Sequence, residues 1–231
     1  TRVRSSAASD VYKRQTEDFD EQLDKIEIYQ RYPLLKPFVG SDYGRNGPRI
    51  LLIAESHYLP ANSTVHNDSE RWYSGSESDL HPEDEKPSVR TRRILNKPYR
   101  GWKKRGHAIY RHLESALVKA GLPINDSVFR QVAFMNAFQR PAKEGDSIKH
   151  TKQDVEVAAQ TINQVIEALK PDHIVFVSTK AKRTVGKHLS QSSSGFHHPA
   201  CPWWNRKQDG MSSKQRFIDH ISSHGNATGP A

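Results

Sequence analysis

Residues 49–54 read RILLIA and follow directly on a Gly-Pro pair. A short apolar run without polar alternation is typical of a parallel strand that is buried on both faces. Two later segments have the same character, QVAFMNAF at residues 131–138 and HIVFVS at residues 173–178. Residues 196–197 (FH) are interpreted as a brief fourth strand. These segments predict the strands of one buried sheet.

Helical segments alternate with these strands. Helices are predicted most clearly where apolar residues recur at helical spacing, and Thr151 with Asp154 resembles a capping box. The predicted helices are residues 16–32, 107–120, 151–169, 180–189 and 213–223. Strands that alternate with helices are typical of an α/β fold. We expect a three-layer α/β/α sandwich with a central, mainly parallel four-stranded sheet.

Composition divides the chain into one domain and two tails. Residues 1–15 resemble translated adapter sequence and are predicted to be a non-native or disordered tail, and residues 224–231 a second disordered tail. Residues 16–223 form a single predicted domain. Within it, residues 61–106 are first acidic and then basic without periodicity, so they are interpreted as a long charged insertion loop. Such long loops are usually functional or disordered.

The chain is strongly basic. Its formal net charge is +9 over 231 residues, with a pI of about 9.6. The first fifteen residues contain four cations and one acid, so leaving them out lowers the charge to +6. A surplus of this size indicates a polyanionic partner, and a solvated basic surface is the alternative.

Several kinds of site are excluded by the residues present. Cys201 is the only cysteine, so one chain cannot form a disulfide or an all-cysteine iron–sulfur site. No segment has the roughly 18 apolar residues of a membrane span, and the N-terminus lacks a signal-peptide core. No HExxH motif or paired Cys and His spacing occurs. We expect a cytoplasmic monomer without a metal or other cofactor.

Polar segments follow the predicted strands at residues 55–58 (ESHY), 136–141 (NAFQRP) and 198–204 (HPACPWW). In open parallel sheets, ligands bind beyond the carboxyl ends of the strands. We therefore interpret these segments as the loops of the functional site.

The order and spacing of these segments resemble the uracil-DNA glycosylase superfamily. That family has a motif after its first strand, an Asn at the end of a middle strand and a His-Pro-small motif near the C-terminus. Here they correspond to residues 54–58 (AESHY), Asn136 and residues 198–200 (HPA). The resemblance covers residues 48–222. It implies a DNA-repair enzyme that flips uracil or a related damaged base out of single- or double-stranded DNA and hydrolyses its N-glycosidic bond.

The resemblance also implies roles for single residues. The amide of Asn136 offers a donor and an acceptor to a uracil edge. His198, directly before a proline, would donate to the oxygen of the departing base, with His197 as its rival. Tyr58 falls where a Tyr excludes the methyl group of thymine. The alternatives are an Asn that bonds backbone, a turn histidine and a surface-packing Tyr.

Position 56 departs from the family. The best-known branch has an Asp there that positions the attacking water, whereas this chain has Ser56, which we assign to base binding. Glu55 matches the iron–sulfur branch, but Cys201 alone cannot supply its four cluster cysteines. Water activation is therefore assigned to Glu55, His57 or solvent, since a neutral imidazole can act as a base.

A basic segment is the predicted DNA contact. Residues 86–111 contain ten Lys or Arg and no acid, interleaved with Tyr99, Trp102 and Tyr110. Phosphate neutralisation combined with aromatic stacking is how proteins bind single strands and distorted duplexes. The candidate DNA-binding residues are Arg92, Arg93, Lys103 and Lys104, together with Trp203 and Trp204 as the apolar wedge that the family implies. The alternatives are a solvated loop and a Trp that caps the core.

Other classes of function fit less well. A metal-dependent hydrolase needs clustered ligands, which the sequence does not display. A serine hydrolase needs glycines two residues before and after the nucleophile, and Ser56 has neither. The main alternative to a glycosylase is a catalytically inactive nucleic-acid-binding relative of the same fold.

Overall fold

The computed structural model describes residues 14–45, 47–84 and 89–225. Most of both predicted tails therefore lies outside the described residues, as do residues 86–88 of the basic segment. The described part contains a mixed five-stranded central sheet and eight α-helices. The predicted α/β class is confirmed.

The central sheet is mainly parallel, as predicted. Its strands are β1 (Phe38–Val39), β2 (Ile50–Leu59), β3 (Val132–Lys143), β4 (His173–Phe176) and β5 (Ser194–Gly195). Their order across the sheet is β1-β3-β2-β4-β5. β2 is parallel to β3 and β4, and β4 is parallel to β5, whereas β1 runs antiparallel to β3. A separate hairpin joins β6 (Lys207–Gln208) and β7 (Met211–Ser212).

The predicted number of four strands is wrong, because β1 adds a fifth strand at the sheet edge. Phe38 pairs with Phe134 and Val39 with Ala133. A strand of two residues directly after a proline is too short to show alternation, and it is defined only by its distant partner. The last strand of the sheet, predicted at residues 196–197, lies two residues earlier, at Ser194–Gly195.

β2 and β3 continue past their apolar runs, so the predicted loops at residues 55–58 and 136–141 are wrong. The register with β4 ends at Ile53, but β2 stays paired with β3 as far as Leu59. The two strands form a ribbon, residues 54–59 and 136–143, above the edge of the sheet. Strand pairing satisfies the backbone N–H and C=O groups of the ribbon. The ribbon can therefore be buried although it carries polar side chains.

A bulge interrupts the ribbon. The register passes from Ser56 opposite Phe138 to Tyr58 opposite Ala142, so β3 advances four residues while β2 advances two. Pro141 lies within this step, where its missing N–H removes no ladder bond. Gln139 Nε2 donates to the backbone oxygen of Asn136 at 2.8 Å. The bulge therefore has its own side-chain support.

The helices pack on both faces of the sheet. They are α1 (Asp20–Leu23), α2 (Glu27–Arg31), α3 (Ser69–Ser74), α4 (Thr91–Leu95), α5 (Ala108–Lys119), α6 (Lys152–Leu169), α7 (Thr179–Val185) and α8 (Ser213–Gly225). Short 3₁₀ turns occupy Pro33–Leu35, Glu77–Asp79, Arg105–His107, Val128–Gln131, Gly186–His188 and Pro202–Trp204. The Thr151–Asp154 capping box of α6 is confirmed.

The first predicted helix, residues 16–32, is divided into α1 and α2. The backbone of Ile26 is extended, which ends the helical path between them. Leu23 and Ile26 are nonetheless both buried. Both residues therefore pack in the core, as their helical spacing predicted, although a turn separates the two short helices.

Residues 61–106 contain α3 and α4, although the sequence shows no periodicity there. Trp72 stacks on Tyr32 with ring centroids 4.3 Å apart, and Tyr32 Oη donates to the Trp72 carbonyl at 2.8 Å. Trp102 is fully buried. Single large aromatics, rather than a periodic stripe, attach this segment to the core.

Alternate residues of β2 enter different apolar clusters. Leu51 and Ile53 pack in one cluster with α6 and α7, whereas Ile50 and Leu52 pack in another with α5 and α8. Burial on both faces accounts for the unbroken apolar run that opens β2. Within the described ranges, no helix combines the length and apolar character needed to cross a bilayer.

Candidate active site

The carboxyl edge of the sheet holds most of the predicted site residues. Glu55 and Asn136 lie on the ribbon, where Ala54 pairs with Asn136. Ser178 follows β4, and His198 lies in the turn after β5. Because parallel strands end at a common edge, these residues converge on one side of the molecule.

Glu55 is held by side chains from two other segments. Ser178 Oγ donates to Oε2 at 3.0 Å, and Ser147 Oγ donates to Oε1. Lys180 Nζ lies 3.8 Å from Oε1, and it donates to Ser147 Oγ at 2.9 Å. The Glu55 side chain is only 13% exposed. These contacts fix the orientation of a carboxylate that still has free lone pairs toward solvent.

His198 is half-buried, and its tautomer is set by the backbone. The N–H of Ala200 donates to Nδ1 at 3.2 Å, so the neutral ring carries its proton on Nε2. Burial lowers the pKa of His198; the charge of Glu55 opposes this effect and His112 adds to it. Since the pKa lies below its ordinary value of about 6.5, the ring is a neutral N–H donor at pH 7.

His112 of α5 supports the turn that carries His198. Its Nδ1 donates to the carbonyl of Pro199 at 2.6 Å. The N–H of Cys201 donates to the carbonyl of His198 at 2.9 Å. The turn is therefore attached to a long helix of the core as well as being closed on itself.

Asn136 and His57 form a second, buried pair beside Glu55. Asn136 Nδ2 lies 3.0 Å from His57 Nε2 and 3.3 Å from its Nδ1. Thr91 Oγ1, at the start of α4, lies 3.1 Å from His57 Nε2. His57 is 5% exposed and Asn136 is 7% exposed. These contacts orient the amide of Asn136 and turn the His57 ring toward α4.

Tyr58 and Ser56 have different surroundings. Tyr58 is 38% exposed, and its pKa is raised by burial of part of the ring and by the charge of Glu55. Ser56 is buried, and its Oγ has no hydrogen-bond partner among the described residues.

The adjacent tryptophans have opposite placements. Trp204 is fully buried in the cluster under α5 and α8, so its predicted contact with DNA is wrong. Its ring lies 5.5 Å from that of Phe217, because the 3₁₀ turn directs it inward. Trp203 is 43% exposed and stacks near His197 at 6.1 Å, with Arg206 4.4 Å over its ring. Trp203 alone is available as a wedge.

The predicted DNA-binding cations also divide. Arg92 makes a bidentate ion pair with Asp20 at 2.5 and 2.6 Å and donates to the carbonyl of Pro37 at 2.9 Å. These contacts engage the guanidinium within the protein and join α4 to the N-terminal helices; its contact with DNA stays a prediction. Arg93, Lys103 and Lys104 are exposed.

Ser147, Ser178, Lys180 and His112 belong to the site but were not among the predicted residues. Ser178 had a sequence signal, since it ends the predicted third strand at the functional edge. The other three had none. Ser147 lies 92 residues from Glu55 and His112 lies 87 residues from Pro199, so only the folded chain brings them together.

Within the described residues, no group of three or more His, Cys, Asp or Glu side chains is arranged to hold a metal ion. No protein-family model matches the chain, and a search of curated proteins finds no match either.

Proposed function

We propose that the protein is a DNA glycosylase that releases uracil or a related damaged base by hydrolysis of the N-glycosidic bond. The observation that carries the proposal is that a neutral His198, with its proton on Nε2, and an oriented Glu55 both lie at the carboxyl edge of the sheet, where the charge of Glu55 acts on the pKa of His198. A donor and a carboxylate at one edge suit a reaction that expels an anion and consumes water.

The proposed reaction uses each group once. The oxygen of a water molecule bonds to C1′ of the sugar while the bond from C1′ to the base nitrogen breaks, and the electron pair leaves with the base. His198 Nε2–H donates to the base oxygen where negative charge develops. Glu55 accepts the proton of the attacking water. Ser178 and Ser147 keep the carboxylate directed at that water.

Asn136 reads the base in this proposal, and His57 positions Asn136. The contacts of His57 with Asn136 and Thr91 favour this supporting role over the water activation that the sequence suggested. Tyr58 lies on the same ribbon with its ring partly exposed, where it would limit the space beside the base. The helices on both faces of the sheet are compatible with the three-layer sandwich that the alternation of strands and helices predicted.

A catalytically inactive DNA-binding relative is the second candidate. The observation that favours it is that both oxygens of Glu55 already accept hydrogen bonds, while position 56 offers only a buried hydroxyl. Each hydrogen bond that a carboxylate accepts makes it a weaker base for water. The two candidates differ in chemistry and not in fold, so an assay of base release separates them.

The test is single-turnover cleavage of a uracil-containing oligonucleotide, with enzyme in excess and alkaline strand scission as the readout. We expect His198→Ala to lower the rate by about 100- to 1000-fold, because it removes a donor used mainly in the transition state. DNA affinity should barely change. Asn136→Ala should weaken both specific binding and turnover.

His197→Ala is the matched control, since it removes a neighbouring imidazole that packs near Trp203. It should leave the rate almost unchanged. A dead His197→Ala protein beside an active His198→Ala protein would place the donor one residue earlier. Tight DNA binding without release of uracil, hydroxymethyluracil, hypoxanthine or mismatched thymine would favour the inactive relative. Loss of activity in EDTA would contradict a metal-free reaction.

A further inference from the structure

A groove runs along the outer side of α5, next to the turn that carries His198. It has a volume of about 440 Å³ and lies between α5 and the chain at residues 99–103. Tyr99 contributes aromatic surface above the buried Trp102, and Arg100, Lys103, Arg111 and Lys119 contribute positive charge. This groove lies outside the set of residues that the proposed reaction uses.

The charge in the groove is almost entirely of one sign. The acid among its lining residues is Glu114, which is 4% exposed and accepts from the backbone N–H of Arg100 at 2.9 Å. Burial lowers the pKa of Lys214 in α8, and the positive charge of Lys119 adds to this effect. The groove therefore presents a row of cations to solvent over a buried and already bonded carboxylate.

The groove is held open by internal bonds. Arg111 Nη1 donates to the carbonyls of Trp102 and Lys104, at 2.6 and 2.8 Å. The N–H of Tyr99 donates to the carbonyl of Asp126 at 2.6 Å. The backbone at Tyr99, Trp102 and Lys104 and the Arg111 guanidinium thus have fixed positions before any ligand binds, which lowers the entropic cost of binding.

We propose that this groove binds a nucleotide of a single DNA strand, with its phosphate on Lys103 and Lys119 and its base against Tyr99. An aromatic wall beside a row of cations is the combination that binds single strands without reading their sequence. The cavity also has the size of a small-ligand site. The proposal rests on the proposed function in one respect: that function identifies the bound strand as the one that carries the extruded base.

His112 connects the groove with the reaction. Its ring lines the groove, and its Nδ1 bonds the carbonyl of Pro199, next to His198. A strand seated in the groove therefore passes directly beside the donor. The groove would hold the nucleotides that flank the extruded base while the ribbon holds the base.

The test is fluorescence anisotropy of a labelled, undamaged dT12 strand at several salt concentrations. We expect Lys103→Ala with Lys119→Ala to lower the salt slope by about 0.7, since neutralising one phosphate of a single strand contributes about 0.7. Tyr99→Ala should weaken binding on the order of ten-fold, whereas Tyr99→Phe should bind like the parent protein. Thermal melting of each variant checks that it is folded.

The matched control is Lys152→Ala with Lys187→Ala, which removes two exposed lysines elsewhere on the molecule. It should leave the slope unchanged. An equal loss of slope in the control and the groove variants would overturn the proposal, as would competition by thymidine monophosphate at the affinity of the strand. If the parent protein releases uracil but the groove variants bind DNA normally, the groove proposal is refuted and the proposed reaction is not. If DNA binding depends on the groove residues but the parent protein releases no base, the proposed reaction is refuted and the groove proposal is not.

Discussion

Asp154 and Glu55 are both hydrogen-bonded carboxylates, but their surroundings differ. The Asp154 side chain is fully buried, and it accepts from Arg140 at 2.6 and 2.9 Å and from Tyr73 Oη at 2.9 Å. The capping box of α6 adds the backbone N–H of Thr151 at 2.7 Å. Glu55 has hydroxyl donors and a more distant lysine, and part of its side chain remains exposed.

This difference supports the proposal that Asp154 is structural and that Glu55 takes part in the reaction. Arg140 uses its other donors on the carbonyls of His66 and Lys149, so the Asp154 pair joins three segments and has no capacity left for a ligand. A buried ion pair of this kind is costly to break from one side. Glu55 has solvent access, no directly bonded cation and a neighbouring histidine, which are the conditions for proton transfer.

The largest effect should come from Asp154→Asn. It leaves the Arg140 guanidinium buried without its counter-charge, so the free energy of unfolding should fall by about 3–5 kcal/mol. Urea unfolding at pH 7 measures this loss. Glu156→Gln, in an exposed ion pair on the same helix, is the control and should cost less than about 1 kcal/mol. Equal losses in the two variants would remove the distinction drawn between buried and exposed acids.

Glu55→Gln should have the opposite profile. We expect the single-turnover rate of base release to fall by at least about 100-fold, since the amide cannot accept the proton of water. The free energy of unfolding should change by less than about 1 kcal/mol, because the amide oxygen can still accept from one serine. Rate assays and urea unfolding on one preparation give both values. A Glu55→Gln protein as unstable as Asp154→Asn would show that Glu55 is structural too.

Acid should remove the contribution of the Asp154 carboxylate to the free energy of unfolding. Burial raises its pKa, but the bonds and charge of Arg140 and the N–H of Thr151 outweigh this effect, so its pKa is lowered overall. A lowered pKa contributes stability that is present above the unfolded value of about 3.9 and is lost as the pH falls through the folded value. The stability gap between parent and Asp154→Asn should therefore stay constant from pH 7 to 5 and narrow below about pH 4. A gap that narrows already above pH 5 would contradict the lowered pKa.

The smallest effects are expected for Arg92 and Arg93, which should differ in whether stability or DNA binding is affected. Arg92→Ala breaks the partly buried ion pair with Asp20, so we expect a loss of about 1 kcal/mol in unfolding free energy and no change in the salt slope of DNA binding. Arg93 is exposed, so Arg93→Ala should preserve stability and lower the slope on duplex DNA by about 0.9 if it contacts a phosphate. Exchanged results for the two variants would reverse their assignments.

The sequence predicted the strands and helices whose apolar pattern lies within one continuous segment. The apolar runs that open β2, β3 and β4 and the helical stripes of α5 and α6 each lie within one segment. β1 was missed because two residues cannot show a period. The ribbon was missed because buried polar residues such as His57 and Asn136 look like a loop until their strand partners are known.

The sequence pointed to part of the candidate site. Glu55, Asn136 and His198 were proposed because each lies at the end of a predicted strand or in a motif, and the structure places them at one edge of the sheet. Ser147 and His112 act through single hydrogen bonds to residues far along the chain, and nothing near them in sequence announces this. The burial of Trp204 beside the exposed Trp203 likewise depends on how one turn lies against α8.

The paired ribbon makes the site more sensitive to insertions and deletions than a loop would be. Side chains of a strand alternate between faces, so loss of one residue between Ile53 and His57 would exchange the faces of every side chain beyond it while keeping the backbone pairing. A loop could absorb the same change by adjusting its path. We therefore expect substitutions within residues 54–58 to be tolerated more readily than changes of length, since loss of Ala54 would move both Glu55 and Tyr58 to the face opposite the one that each occupies.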